Sequence, residues 1–244
     1  MGTISDGAIG STGSTGSSGS MGSNGSGGSG AVIPYVGISF TGWTAAVGGE
    51  NGADNGSFAG IPIGDASSDR LVVFVISKWN GVPSSTTSCT INGNAANLAS
   101  SASNNSANRI QAVYWLKVTT GTTCSMSFTG GGGADTYQVS CYIVRGQTTD
   151  TPYYEYFSAA QTTTSTFSTP SLAKCSILAC AGSGGVFSSS TWSSPMNKVS
   201  FNPATSGTYR GSHTAATALG VEGVNTITVV TNINTEMYSI IAWR

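Results

Sequence analysis

The stretch "RIQAVYWLKV", residues 109–118, sets Ile110, Ala112, Tyr114 and Leu116 on one side of an extended chain. Gln111, Val113, Trp115 and Lys117 fall on the other. Alternation with a period of two predicts a β-strand. The second side is too apolar to face water, so the strand is expected in the middle of a sandwich with both faces covered. Similar runs are spaced at intervals of about a dozen residues, separated by clusters of Gly, Asn, Ser and Thr. They predict strands at Tyr35–Thr41, Arg70–Ser77, Ser88–Ile91, Arg109–Thr119, Cys124–Phe128 and Thr136–Val144. Further strands are predicted at Ser165–Ser168, Ala173–Cys180, Tyr209–Thr214, Asn225–Thr231 and Met237–Trp243. No segment holds an apolar period of 3.6 residues long enough for a substantial helix. The expectation is an all-β chain: an antiparallel β-sandwich over residues 31–244, jelly-roll-like or immunoglobulin-like in strand order.

Two portions of this body share a layout, at about 58–148 and 164–244. "RLVVFVIS" (Arg70–Ser77) matches "KCSILACAGS" (Lys174–Ser183) as a buried opening strand. "TTCSMSFTGGGGADTYQVSCYIVRG" (Thr122–Gly146) parallels "NTITVVTNINTEMYSIIAWR" (Asn225–Arg244), each a strand, a polar turn and an apolar strand ending in arginine. Thr149–Pro152 is the one mild break between them. With no charged or proline-rich linker, the two portions are expected to interleave in a single sandwich.

Residues 1–30 are different. Gly7, Gly10, Gly13, Gly16, Gly19, Gly22, Gly25 and Gly28 occupy every third position. A flexible linker has no reason to keep that phase, whereas an extended helix of three residues per turn packed against neighbours needs glycine at its crowded axis. The tract lacks proline, and each glycine loses much entropy on ordering. It therefore needs a trimeric body behind it, or a surface beneath it, to stay ordered. A triple helix and a surface-bound thread are both open, with a mobile tether as the alternative. Extended, residues 7–30 would span roughly 70 Å.

Charged residues make up 8% of the chain and the net charge is −1, so the basic footprint that nucleic acid or anionic lipid requires is missing. No purely apolar run approaches the length of a membrane span. Met1–Gly10 has neither a basic start nor an apolar core, and the chain is expected to fold in a cytoplasm without a secretory leader. Cys89, Cys124, Cys141, Cys175 and Cys180 sit in apolar runs without metal-binding spacing. They are expected as small buried hydrophobes, with one incidental disulfide as the alternative.

Signals for chemistry are sparse. His213, the single histidine, has no nucleophile elbow to serve and is expected exposed or on an edge strand. "GGENGADNGS" (Gly48–Ser57) offers Glu50, Asn51, Asp54 and Asn55 as oxygen ligands, but without the spacing of a calcium loop, and a turn is expected. "GGGG" (Gly130–Gly133) joins two strands and cradles no phosphate. The reading is therefore of a non-enzyme with no metal site and no cofactor. Tyr153, Tyr154 and Tyr156 in "TPYYEYF", with Trp43, Trp79 and Trp192 beside polar loops, are the candidate subunit or glycan contacts, because such rings favour interfaces; a place in the core or at a subunit contact is expected ahead of glycan binding.

"DASSDRLVVFVIS", "CTINGNAANLASS", "YWLKVTTGTTCSMSFTG" and "CYIVRG" together resemble a β-rich domain of tailed-bacteriophage virion proteins. In that domain a buried strand follows Asp-Arg, and a Val-x-Thr-Gly-Thr turn feeds a strand of Ser/Thr and Phe. The resemblance covers about residues 65–244. It implies a virion component: a trimeric capsid decoration (cement) or head-fibre protein, its amino-terminal arm gripping the major capsid protein or other virion proteins. The alternative is a short tail fibre or adhesin that binds host-surface glycans. Either is assembled in the host cytoplasm.

Overall fold

The computed structural model describes residues 36–47, 55–79, 88–104, 109–129, 136–159, 162–169, 175–183, 189–194, 196–206, 209–219, 226–235 and 237–244. The glycine-triplet arm lies outside them. All regular structure among the described residues is strand. The first half contributes β1 (Gly37–Val47), β2 (Asn55–Pro62), β3 (Leu71–Trp79), β4 (Ser88–Ile91), β5 (Asn94–Ala95), β6 (Asn97–Asn104), β7 (Arg109–Lys117), β8 (Thr123–Thr129) and β9 (Thr136–Arg145). The second contributes β10 (Tyr154–Ser158), β11 (Thr162–Ser168), β12 (Ser176–Ser183), β13 (Ser190–Trp192), β14 (Asn197–Ser206), β15 (Tyr209–Leu219), β16 (Thr226–Thr235) and β17 (Met237–Trp243).

These strands form four antiparallel sheets. The first half makes β1-β9-β3-β7-β6 and β2-β8-β4-β5, and the second makes β10-β17-β12-β15-β14 and β11-β16-β13. In the first half, β1 pairs β9, β2 pairs β8, β3 pairs β7 and β4 pairs β5. That nesting is a long hairpin folded over on itself, the jelly-roll arrangement rather than the immunoglobulin one. β5 and β6 act as one strand that leaves the small sheet and joins the large one. In the second half β10 pairs β17, β11 pairs β16 and β12 pairs β15, in the same sheet orders except that β5 has no counterpart. The halves therefore do not interleave. Each closes its own sandwich, because every pairing partner of a strand lies in its own half.

The register repeats as closely as the order. Leu71 stands beside Val144 and Lys117, and Ser176 stands beside Trp243 and Leu219. Ser77 stands beside Gln111 and Gln138, and Gly182 stands beside His213 and Met237. Arg145 and Arg244 each follow the last of these paired positions.

Three cores hold the unit Pro34–Arg244 together. Val72, Phe74 and Ile76 pack inside the first sandwich with Tyr114, Phe128 and Tyr137. Ile177, Ala179 and Ala181 pack inside the second with Phe167, Trp192 and Tyr238. The opposite faces of the same strands meet each other: Leu71, Val73 and Val75 join Val113, Trp115, Tyr142, Leu178, Cys180, Ile241 and Trp243 in a central core. The layers are thus small sheet, large sheet, large sheet, small sheet. Val113 and Trp115 are covered as their sequence demands, but by the other half's sheet.

Across the central core β1 lies against β14 and β15, β3 against β12, and β6 against β10 and β17. Sheet order reverses from one layer to the other while like ends of β3 and β12 adjoin, which relates the halves by a pseudo-twofold axis along these strands. At one end of the core the filling turns polar. Gln111 Nε2 donates to Ser77 Oγ at 3.2 Å, and Gly182 faces them. A Cβ on Gly182 would lie 3.3 Å from Met237 Cε and 3.6 Å from both polar atoms, so the sheets meet here with room for a methyl only if the Met237 tip shifts slightly.

Asn92 and Gly93, with φ of 51° and 76°, make the tight β4–β5 turn. Two consecutive positive φ values are the reason for Asn-Gly in a two-residue hairpin.

Trp243 is fully buried in the central core, its indole N–H donating to Asp150 O at 3.2 Å. Trp243→Ala should cost about 3–5 kcal/mol. Because that core is shared, both halves should lose stability in one denaturant transition; two separated transitions in wild type would contradict the shared core.

Candidate functional site

Charge is concentrated at one pole. Among the charged side chains described, Asp65, Asp69, Arg70, Lys117, Arg145, Asp150 and Arg244 lie at the end where β3 begins and β9 and β17 finish. β1 also starts here, with Gly37 beside Arg145. Away from it, among the described residues, Glu155 on β10 and Lys198 on β14 are exposed, and the small sheets carry neutral hydroxyls. On the first small sheet Ser57 and Ser127 share a hydrogen bond of 2.9 Å, and Ser88 and Thr129 one of 2.7 Å. On the second, Thr166 and Thr228 are bonded at 3.0 Å. Such cross-strand hydroxyl pairs hold sheets without needing ionic partners.

Arg70 organises the charged pole. It sits just before β3, is fully buried, and donates only to backbone carbonyls. Nε reaches Val118 O at 2.7 Å. Nη1 reaches Ile63 O at 3.3 Å and Gly64 O and Asp65 O at 2.7 Å. Nη2 reaches Thr120 O at 2.7 Å and Gly121 O at 2.9 Å. Two turns that have no strand partners at these positions thus find donors on one planar group, which is rigid enough to serve both. Burial lowers its pKa from the ordinary guanidinium value, yet an arginine stays charged at neutral pH.

The preceding residue ties this pole to the crossover between the halves. Asp69 Oδ2 accepts from Gly146 N at 2.7 Å, Oδ1 accepts from the Ser67 hydroxyl, and its carbonyl accepts from Gln147 Nε2. The Ser67 hydroxyl and then the Gly146 N–H hold the Asp69 carboxyl below its usual range. Arg145 donates to Asp65 O. Beyond the crossover, Lys117 Nζ meets Asp150 Oδ1 at 3.1 Å, and Thr148 bonds Arg244 O through both N–H and hydroxyl.

The candidate aromatic residues are not gathered into one platform. Trp43 is half-buried in the first sandwich, 5.3 Å from Phe58 and 6.1 Å from Phe74 between ring centroids. Tyr154 and Tyr156 pack against the second core, Tyr156 at 5.5 Å from Phe167. Trp192 is buried there, with its indole N–H on Thr214 Oγ1 at 3.3 Å. Tyr153 is 52% exposed, and the Arg244 guanidinium lies 5.3 Å above its ring. Trp79 ends β3, and its side chain lies outside the described residues, as do Gly7 to Gly28 of the arm, Glu50, Asn51, Asp54 and Gly130–Gly133. Asn55 opens β2.

His213 stands on β15, between β12 and β14, so of the two expected placements the edge strand is ruled out, β14 being an outer strand with no apolar run to announce it; the His213 side chain lies outside the described residues. All five cysteines are buried and free. Burial pushes the thiols up, Cys89 to about 12 and Cys124 to about 11, with Cys141, Cys175 and Cys180 raised by the same cause. Among the described residues no group of three or more His, Cys, Asp or Glu is placed to hold a metal, and no helix is long and apolar enough to cross a membrane. Sequence reasoning missed Arg70 and Arg145 as organising residues. The signal was present: an arginine at the lip of a fully apolar strand, in a chain with only nine Lys and Arg.

No family model, curated protein or solved structure matches the chain.

Arg70→Met should destabilise the protein by at least about 3 kcal/mol, since buried carbonyls left without donors cost ~1–3 kcal/mol each; Arg70→Lys should rescue only part of it, as read by denaturant unfolding. Native protein at mildly alkaline pH should resist iodoacetamide, whereas unfolded protein takes up five adducts by mass spectrometry; alkylation of the native state would contradict the buried thiols.

Proposed function

We propose that the chain is a non-enzymatic structural component of a tailed-bacteriophage particle, a trimeric capsid decoration or head-fibre protein attached through its amino-terminal arm. The observation that carries the reading is the doubled jelly roll, its small sheets crossed by hydroxyl pairs, with a cluster of charged side chains at the pole where β1 begins. Jelly rolls recur in viral capsid and lectin domains, and this step is an analogy of fold, which hosts many functions. The glycine triplets add the expectation of three chains, because an axis that admits only glycine needs partner strands around it. A body with little charge would gain affinity on a particle from apolar contact, backbone hydrogen bonds and multivalency.

A short tail fibre or adhesin that binds glycans is the second reading. It is favoured by Tyr153, an exposed ring braced on one face by Arg244.

Native mass spectrometry of the full chain should give a trimer, and a chain lacking residues 1–30 should fold but fail to attach to particles. A monomer at high concentration overturns the trimer, and unchanged attachment overturns the arm as anchor. Under the second reading the truncated chain keeps its glycan binding.

A further inference from the structure

At the charged pole, a cleft of about 300 Å³ opens between β1, β2 and β9. Its lining combines apolar Pro62, Ile63 and Ile143 with polar Arg145, Ser39 and Thr41. Antiparallel pairing explains the arrangement: Ser39 stands directly across from Ile143, and Gly37 across from Arg145. A glycine opposite the arginine leaves no side chain to cover the guanidinium.

The hydrogen bonds within the cleft separate occupied groups from available ones. Thr41 Oγ1 is engaged, donating to Cys141 O at 3.1 Å and accepting from Trp43 N at 3.2 Å. Arg145 uses one nitrogen, on Asp65 O, and among the described residues its other N–H groups have no hydrogen-bond partner. The Ser39 hydroxyl has none either. Asp69, the carboxylate that acts on Arg145, already has both oxygens on Ser67 and Gly146, so it does not close the guanidinium to a second anion.

We propose that this cleft binds a carboxylate-bearing monosaccharide. A guanidinium with free N–H donors matches a carboxylate in a planar fork. The Ser39 hydroxyl, which donates and accepts, suits a neighbouring sugar hydroxyl. The exposed Pro62 ring, with Ile63 and Ile143 behind it in the lining, suits the C–H face of a pyranose ring. The volume lies at the lower end of ligand pockets, about 300–1,000 Å³, which admits one sugar unit and excludes a folded partner. The inference goes beyond a role in a particle and stands or falls at this cleft wherever the chain is found.

The test is a titration of the full chain, by ligand-observed NMR, with N-acetylneuraminic acid, glucuronic acid, glucose and acetylglycine. One of the two acidic sugars should bind with a dissociation constant on the order of 1 mM, and glucose at least about tenfold more weakly. Arg145→Gln should weaken the acid about tenfold or more. Ser39→Tyr, on an exposed edge position, should block the cleft while leaving Arg145 in place, so binding falls without loss of the donor. No binding of either acidic sugar overturns the proposal. Binding that survives both substitutions places the sugar elsewhere and overturns it too. Acetylglycine binding as tightly as the sugars reduces the cleft to a general carboxylate site and overturns the sugar class.

Discussion

Val73 and Val75 on one side of β3, and Phe74 and Ile76 on the other, leave that strand no face for water. β12 is under the same constraint, with every residue from Ser176 to Ser183 buried. One sandwich covers one face of such a strand. The remaining face must be covered by something else, and the cheapest cover is a second copy of the same sheet. Burial at about 25 cal/mol per Å² favours that stack over two separate sandwiches with apolar backs exposed. The pairing of large sheets, the outward position of the small ones and the confinement of loops to the poles all follow from it.

What the sequence made legible was the interior of the sheets. β3, β7, β8, β9, β12, β15, β16 and β17 each have neighbours on both sides, and their apolar runs announce them, β15 least clearly. The strands that went unread, β2, β5, β6, β10, β13 and β14, are all at sheet edges. Edges carry Ser, Asn, Gly and proline, as at Pro62 and Pro203, because an exposed apolar edge would recruit another chain. The polarity that protects an edge is what hides it. The same cause misled the domain reading: with six of the eight edge strands unseen, the two halves resembled fragments of one sandwich rather than two complete ones.

The pole was less legible than the fold. Tyr and Trp left core, subunit contact and glycan contact open, and Trp192, Tyr154 and Tyr156 fill or flank a core. Such rings have large apolar bodies that suit a core equally well, and only pairing partners distinguish the two uses. Arg70 has no residue-type partner to betray it, since all its acceptors are main-chain oxygens contributed by the shape of two turns. The second half places Cys175 at the matching position, so the arginine staple belongs to one half alone. The two copies have kept their strand order while their turns diverged.

Because the pseudo-axis runs along β3 and β12, both jelly rolls point the same way, and each pole of the molecule shows corresponding connections side by side. A substitution that alters a turn in one copy leaves the corresponding turn of the other unchanged. Duplication in this orientation gives the chain spare room to vary at its ends: one set of turns can hold the architecture while the other is altered toward a new surface.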